Sequence, residues 1–158
     1  MVDDVDRAHL RRCVDLARTA LEAGDKPFGS VLVDTDSQVL FEDHNHDSGG
    51  DQTQHPEFAI ARWSAAHLTP EQCSAATVYT SGEHCAMCAA AHAWVGLGRI
   101  VYASSSAQLS GWLEALGVPP PPVRPMPITE VAPGVLVDGP VDDLSDEVHE
   151  LQRRYYRR

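Results

Sequence analysis

Two short motifs, His55-Pro56-Glu57 and Glu83-His84-Cys85-Ala86-Met87-Cys88, constrain the fold of this chain more than any other feature of its sequence. Together they offer one imidazole and two thiolates, which are ligand types that zinc prefers. An ion bound by all three would have to join two segments that lie far apart in the chain. The sequence therefore predicts a fold that brings the two motifs together.

Each motif also predicts the start of a helix. Apolar side chains follow helical spacing in the run from His55 to His67, and the run from Cys85 to Trp94 is rich in alanine. Cys85 and Cys88 are three positions apart and therefore share one helix face. Both lie in the first turn, where free amide groups and the helix dipole favour a thiolate over a thiol. Two helix N-termini are expected to converge on one metal ion.

Glu57 places a carboxylate beside this predicted site without adding to its ligands. Three protein ligands leave a fourth position on zinc open to water, whereas structural zinc sites are closed by four. Zinc lowers the pKa of bound water from about 15.7 to roughly 7, and a nearby carboxyl group can accept and return protons. We therefore predict a catalytic, hydrolytic zinc site. A structural zinc site with His84 as fourth ligand is the alternative.

The chain resembles the cytidine deaminase superfamily, and is most similar to the branch of guanine deaminases, with tRNA adenosine deaminases next. An H-x-E motif followed by C-x-x-C is a signature of zinc deaminases that act on nucleobases. The other matching stretches are Pro27–Val33, Glu42–Asn45, Val78–Ser81 and Arg99–Ala103. The resemblance extends from the first helix to about Glu114, and more weakly to the C-terminus.

The resemblance implies a role for each candidate site residue. The zinc ligands would be His55, Cys85 and Cys88, and Glu57 would shuttle protons while zinc-bound hydroxide attacks an amine-bearing ring carbon. The substrate contacts it suggests are Asn45, Phe28, Pro56, Trp94, Glu114 and Tyr156. Asn45 falls on the substrate-binding asparagine of the family, and backbone groups around Phe28, Pro56 and Glu57 would line the pocket.

Three of these contacts have structural alternatives. Trp94 corresponds to a tryptophan of guanine deaminases and either stacks on a ring or fills the core. Glu114 aligns with an acidic residue that grips the base edge, or is simply exposed on a helix. Tyr156 belongs to the segment 118–158, which guanine deaminases exchange between subunits. The alternative is a C-terminal helix that packs on its own subunit.

Several positions depart from the family pattern. Pro56 stands where alanine is usual, Gly82 where guanine deaminases have cysteine, and His84 where proline is usual. We expect His84 either to turn outward or to hydrogen-bond near a cysteine sulfur. The loop after Asn45 is also one residue short. These departures bear on the identity of the substrate and leave the reaction class unchanged.

The loop from 42 to 54 contains two further histidines, His44 and His46. We expect them to be solvated, although a metal-binding role and, for His44, a place in the pocket lining are alternatives. The remaining cysteines, Cys13 and Cys73, are expected to be small buried thiols because four cysteines do not make a disulfide framework.

Charge separates the two most similar branches. The chain has 12 basic and 23 acidic residues and a net charge of −11. Proteins that bind structured RNA need a basic surface, because phosphate contacts dominate their affinity. The one marked basic cluster, Arg153, Arg154, Arg157 and Arg158, is expected to be a solvated helix end. The charge therefore argues against nucleic acid as a partner and favours a small neutral base as the substrate.

These observations predict a zinc-dependent enzyme that deaminates a free nucleobase or a related amino-substituted ring and releases ammonia. Guanine is the first expected substrate, followed by cytosine or aminotriazines such as ammeline. A tRNA adenosine deaminase and a non-catalytic zinc-binding module are the alternatives. We also expect a cytoplasmic protein, since no apolar run could span a membrane and the acidic N-terminus does not resemble a signal peptide. The resemblance further implies a homodimer, because domains of this type commonly assemble as dimers.

The predicted fold is one deaminase domain over residues 1–158, of a three-layer α/β/α, cytidine-deaminase-like class. A mixed sheet of about five strands would carry helices on both faces. Strands are predicted at 28–33, 38–41, 77–80 and 99–103, with short pieces at 128–131 and 135–137. Beyond the two zinc helices, helices are predicted from Asp3 or Asp4 to about 23, over 108–116, and from Asp142 or Ser145 onward.

Overall fold

A five-stranded mixed sheet organises the molecule, whose computed structural model describes residues 1–157. The strands are β1 (Gly29–Val33), β2 (Val39–His44), β3 (Thr77–Gly82), β4 (Ile100–Ser104) and β5 (Val137–Asp138), in the order β2-β1-β3-β4-β5. β1 pairs antiparallel with β2 and β3, whereas β3, β4 and β5 run parallel. The predicted mixed sheet is confirmed. Arg158 of the predicted basic cluster lies outside the described residues.

Helices cover both faces of this sheet. They are α1 (Asp4–Glu22), α2 (Pro56–His67), α3 (Pro70–Ala75), α4 (Ala86–Val95), α5 (Ser106–Ala115), α6 (Ile128–Val131) and α7 (Asp142–Tyr156). One apolar cluster joins α1 and α7 to the sheet, and another joins α2 and α3 to the opposite face. The predicted three-layer arrangement is confirmed. No helix within residues 1–157 is long and apolar enough to cross a membrane.

The interior strand β1 contributes side chains to the helix layers on both faces of the sheet. Its side chains alternate, so Val31 and Val33 join the cluster beneath α1, and Leu32 joins the cluster beneath α2. At its start, a Cβ on Gly29 would collide with the carbonyl oxygen of Cys13 on α1. Glycine at this position therefore allows α1 to lie directly against the strand. Cys13 is buried as predicted, and so is Cys73.

One predicted strand is wrong. Residues Ile128–Val131 form the short helix α6, and the following strand is confined to Val137–Asp138. The β-branched side chains of this segment favour a strand. However, Pro127 presets the backbone angle before the helix, and the carboxylate of Glu83 accepts a 2.8 Å hydrogen bond from the Ile128 amide. A contact with a distant residue thus decides the local structure.

The C-terminal helix α7 packs on α1 of its own chain. Leu144, Val148 and Leu151 are buried in the cluster that α1 shares. Two bidentate arginine–carboxylate pairs, Arg7 with Asp143 and Arg11 with Glu147, cross the helix contact at the surface. Within this single chain α7 packs on α1, and exchange of the segment between subunits stays a prediction.

The Asp6 side chain links α1 to Tyr79 of β3 and to Arg99, which immediately precedes β4. Its carboxylate accepts hydrogen bonds from the Tyr79 hydroxyl at 2.7 Å and from the Arg99 guanidinium at 2.8 and 3.0 Å. Burial alone would raise the pKa of Asp6, but the bonds from Arg99 and Tyr79 outweigh it and lower this pKa to about 2. The ionised carboxylate therefore stabilises the folded state at neutral pH.

We expect Asp6→Asn to lower the free energy of unfolding at pH 7 by about 2 kcal/mol. A depressed carboxylate pKa gives stability that is complete above the unfolded value of 3.8 and is lost as pH falls towards about 2. The difference between variant and wild type should therefore shrink over that interval. Urea unfolding at several pH values measures this, with Asp4→Asn at an exposed position as control. A difference that is independent of pH would contradict the assignment.

Candidate active site

The two motifs lie at two helix N-termini, as predicted. His55 is the N-cap residue of α2, and Cys85 is the N-cap residue of α4, with Cys88 in the first turn. Neither N-cap side chain makes a capping hydrogen bond to its own helix. Pro56 occupies the first position of α2, where proline suits the helical backbone and its missing amide costs no hydrogen bond. The imidazole and the thiol are thus free for other partners.

The three side chains meet. His55 Nδ1 lies 3.6 Å from the Cys85 sulfur and 3.5 Å from the Cys88 sulfur, and the three atoms lie within 4.8 Å of one another. Bond lengths of about 2.3 Å to sulfur and 2.0–2.1 Å to nitrogen around a tetrahedral zinc ion separate these atoms by about 3.6 Å. The donor atoms and their spacing both fit zinc.

The protonation of the group also suits a cation. Hydrogen bonds from Cys88 and His55 lower the pKa of Cys85 to about 4, so this thiolate forms at neutral pH. The same contact with Cys85, together with burial, raises the pKa of Cys88. One thiolate is therefore preformed, and a bound divalent cation would favour loss of the second proton.

Glu57 lies in the first turn of α2 and points at the sheet. Its Oε1 is 3.0 Å from the Ser30 hydroxyl and 2.7 Å from the Thr80 hydroxyl, which face each other across the β1–β3 pairing. Burial raises the pKa of Glu57, and the charge of His55 and the Thr80 bond oppose this shift. The carboxyl group is thus held beside the metal ligands but is not one of the three.

A backbone hydrogen bond joins Asn45 to Phe28. The Asn45 amide donates a 3.0 Å hydrogen bond to the Phe28 carbonyl. The Asn45 side chain is buried, and its Oδ1 has no hydrogen-bond partner among the described residues. The Phe28 ring packs against Gly82, where an added Cβ would lie 3.3 Å from the ring. Glycine at this departure from the family pattern therefore makes room for Phe28.

Two of the predicted substrate contacts, Trp94 and Glu114, are exposed, and the third, Tyr156, is half-buried. Trp94 is 90% exposed, so the core-filling alternative is wrong. At about 100° per residue, Trp94 is rotated around the axis of α4 by about 240° from Cys88. The two residues therefore lie on different sides of the helix. Glu114 is also exposed, on a helix with no buried residue. Tyr156 is half-buried, and burial, with the charge of Asp47 in the loop after Asn45, raises its pKa.

His84 follows neither expectation. It is 1% exposed, and its ring meets the edge of the His92 ring with centroids 5.4 Å apart. Neither ring nitrogen of His84 has a hydrogen-bond partner within residues 1–157, and burial lowers its pKa well below the usual range. A neutral imidazole is therefore packed behind the second motif, and the structure gives no reason for its unpaired nitrogens.

Two residues that sequence reasoning missed support the site from outside. Glu83 accepts hydrogen bonds from the amides of Ser106 and Ile128, and so joins the end of β3 to α5 and α6. Gln152 on α7 donates a 3.3 Å hydrogen bond to the carbonyl of Pro27, next to Phe28. Neither partner lies near in sequence, so no local pattern could have identified them.

A cleft of about 460 Å³ borders the metal-ligand group at His55. Phe58, Ala59 and Arg62 from α2 line it, together with residues of the preceding loop. Its volume falls in the range of small-molecule sites. Glu57 and Asn45 do not line it, since both are buried.

Comparison with known proteins agrees with this geometry. Residues 3–104 match the model of the cytidine and deoxycytidylate deaminase zinc-binding region, and the chain belongs to that family. It is therefore a zinc-dependent hydrolytic deaminase, as predicted.

The chain is also similar to individual proteins, both in sequence and in structure. A probable cytosine deaminase of Schizosaccharomyces pombe is 33% identical over 121 residues, which are 76% of this chain and 73% of the relative. The guanine deaminase of Bacillus subtilis is 32% identical over 96 residues, covering 60% of this chain and 62% of its own. The structure of a guanine deaminase from Nitrosomonas europaea superposes on the whole chain, covering 87% of its own length with a TM-score of 0.70 at 24% identity.

We predict that zinc content depends on three side chains. His55→Ala, Cys85→Ser and Cys88→Ser should each lose the tightly bound zinc ion, because each variant removes one of only three protein donors. Glu57→Gln should keep it. Metal analysis of the purified proteins tests this, with Cys73→Ala as a cysteine control outside the group. Full zinc occupancy in Cys85→Ser would refute the assignment.

Proposed function

We propose that this protein deaminates a free nucleobase by hydrolysis, with guanine as the first substrate and cytosine as the second. One observation carries the proposal. Glu57 is buried beside the His55, Cys85 and Cys88 group, held by Ser30 and Thr80, and is not among the metal ligands. A carboxylate at this position suits proton transfer to and from a substrate.

Each residue of the site would carry out a different part of the proposed reaction. His55, Cys85 and Cys88 would hold zinc, which when bound would supply a nucleophile at neutral pH by lowering the pKa of water to about 7. Glu57 would take one proton from the attacking water and deliver it to a ring nitrogen. It would then pass the proton of the new hydroxyl group to the departing amine, which leaves as ammonia. Asn45 offers a buried, unpaired carbonyl oxygen that can accept a hydrogen bond from a ring N–H or an amino group. Phe28 offers an aromatic ring for contact with the base.

One consideration supports guanine before cytosine. The fold similarity to a guanine deaminase spans the entire chain, including the C-terminal segment. Asn45 suits either base, because both present N–H donors. Against guanine, Glu114 is exposed and offers no carboxylate to the base edge within one chain. The sequence likeness to a probable cytosine deaminase keeps cytosine second, and an aminotriazine such as ammeline remains a further candidate.

Charge disfavours a tRNA substrate. Beyond the net charge of −11, most basic side chains lie in ion pairs with carboxylates. These paired side chains are Arg7, Arg11, Arg12, Arg18, Lys26, Arg99 and Arg153. Paired cations gain less from phosphate contact, since they must leave a partner. A basic surface of the kind that nucleic acid requires is therefore not available from these residues.

A non-catalytic zinc module is disfavoured by the environment of Glu57. Burying a carboxyl group is costly unless hydrogen bonds or function compensate. A module that only binds zinc has no use for that group.

The proposed enzyme is a cytoplasmic homodimer, and sedimentation equilibrium would measure its subunit number.

The proposal is tested by ammonia release from the zinc-loaded protein. The substrates would be guanine, cytosine, ammeline, cytidine, adenosine and a tRNA anticodon stem-loop. We expect turnover of a free base, and Glu57→Gln should reduce it by about 10²–10⁴-fold while zinc stays bound. Turnover of the stem-loop alone would favour tRNA editing. No turnover of any substrate by the zinc-loaded protein would contradict the proposed function.

We expect Thr80→Val to lower kcat by about tenfold, because it keeps the shape of the side chain but removes a hydroxyl that positions Glu57. Zinc content and KM should change little. Thr77→Val on the same strand is the matched control, since Thr77 does not contact Glu57 in the structure. Equal kcat values for the two variants would show that the Thr80 hydroxyl does not position Glu57.

A further inference from the structure

A second group of potential metal ligands lies outside the zinc site. Asp25 follows α1, and His44 and His46 lie at and just beyond the end of β2. One ligand atom from each of these residues lies within 4.8 Å of the other two. The two imidazole rings are 4.3 Å apart between centroids. None of the three belongs to the His55, Cys85 and Cys88 group.

The hydrogen bonds of the two histidines define their tautomers. His44 Nδ1 lies 2.9 Å from the Asn45 carbonyl oxygen, and His46 Nε2 lies 2.8 Å from a carboxylate oxygen of Asp43. Since carbonyl and carboxylate oxygens accept hydrogen bonds, both of these nitrogens carry the proton. His44 Nε2 and His46 Nδ1 are then left with lone pairs. Metal-binding histidines are commonly oriented by such bonds from the second ring nitrogen.

Asp25 supplies a buried carboxylate to the same group. It is 4% exposed, and its Oδ1 accepts a 2.8 Å hydrogen bond from the Ser48 amide. Burial raises the pKa of Asp25, but the hydrogen bonds from Ser48 oppose this shift, and the pKa lies below its usual value. The carboxylate is therefore ionised at neutral pH and faces the two rings.

We propose that Asp25, His44 and His46 bind a second divalent transition-metal ion, with zinc as the expected occupant. Two imidazole nitrogens and one carboxylate oxygen form a donor set that suits zinc, cobalt and nickel. Asp43 and Asp47 add negative charge nearby. The ammonium group of Lys26 is engaged with Asp47 at 3.6 Å and with Gln52 at 3.0 Å.

This site is joined directly to a proposed substrate contact. The His44 ring donates to the carbonyl oxygen of Asn45, and the Asn45 amide donates to Phe28. An ion held by His44 and His46, which flank Asn45, would fix the backbone that carries this side chain. The proposal itself concerns metal binding and does not depend on the identity of the substrate.

Zinc titration of the whole protein tests the site. We expect wild type to bind two equivalents, one tightly and one more weakly, and His46→Gln to bind only the tight one. His67→Gln, at an exposed position on α2, is the matched control and should bind two. The His46 side chain is 49% exposed, so its replacement should leave the fold intact. Circular dichroism would check this.

Cobalt distinguishes the two sites spectroscopically. The first equivalent should produce thiolate-to-metal charge-transfer absorption from Cys85 and Cys88. The second should bind without adding to that band, because its ligands are nitrogen and oxygen. Thermal unfolding should shift upward again with the second equivalent in wild type but not in His46→Gln, since a ligand that binds only the folded state stabilises it.

Asp43→Asn gives an independent test that removes no ligand. Loss of the carboxylate that orients His46 should weaken the second site by about tenfold and leave the first unchanged. Binding of a single equivalent by wild type in excess zinc would overturn the proposal. So would retention of the second equivalent by both His46→Gln and His44→Gln.

Discussion

Two helix N-termini meet where β1 starts and β3 ends, and the rest of the structure depends on this constraint. β3 leads directly into the second motif and α4, whereas α2 enters from the loop that follows β2. Because β1 runs antiparallel to β3, the start of β1 and the end of β3 lie side by side, with Ser30 opposite Thr80. The metal ligands, Glu57 and its two hydroxyl partners are therefore assembled at one edge, where ligands commonly bind in such sheets.

Glu57 is the part of this assembly that is hardest to explain by stability alone. A buried carboxyl group costs free energy, and two hydroxyls offset only part of that cost. The same strands could carry apolar side chains at positions 30 and 80, as they do at Leu32 and Val78. The polar patch therefore interrupts an apolar sheet face at the point where chemistry requires it.

Two departures from the family pattern acquire physical reasons in the structure. Pro56 occupies the first position of α2, which proline suits, with His55 as the N-cap residue and Glu57 in the first turn. Gly82 leaves space for the ring of Phe28. The third departure, His84, is buried against His92, and nothing in the structure explains its unpaired nitrogens. None of the three replacements removes a residue of the His55, Cys85 and Cys88 group.

The sequence by itself determined the family, the zinc chemistry, the two helix starts and the runs of β1, β3 and β4, because these depend on residue types and on spacing along the chain. It also contained a signal for α3, a Thr69 capping box with proline in the first turn. Only the tertiary structure decided that 128–131 is a helix, that Trp94 and Glu114 are exposed, and that Ser30 and Thr80 hold Glu57. These outcomes rest on contacts between segments far apart in the chain, such as Glu83 with Ile128. Local periodicity carries no information about such contacts, so they could be read only from the folded molecule.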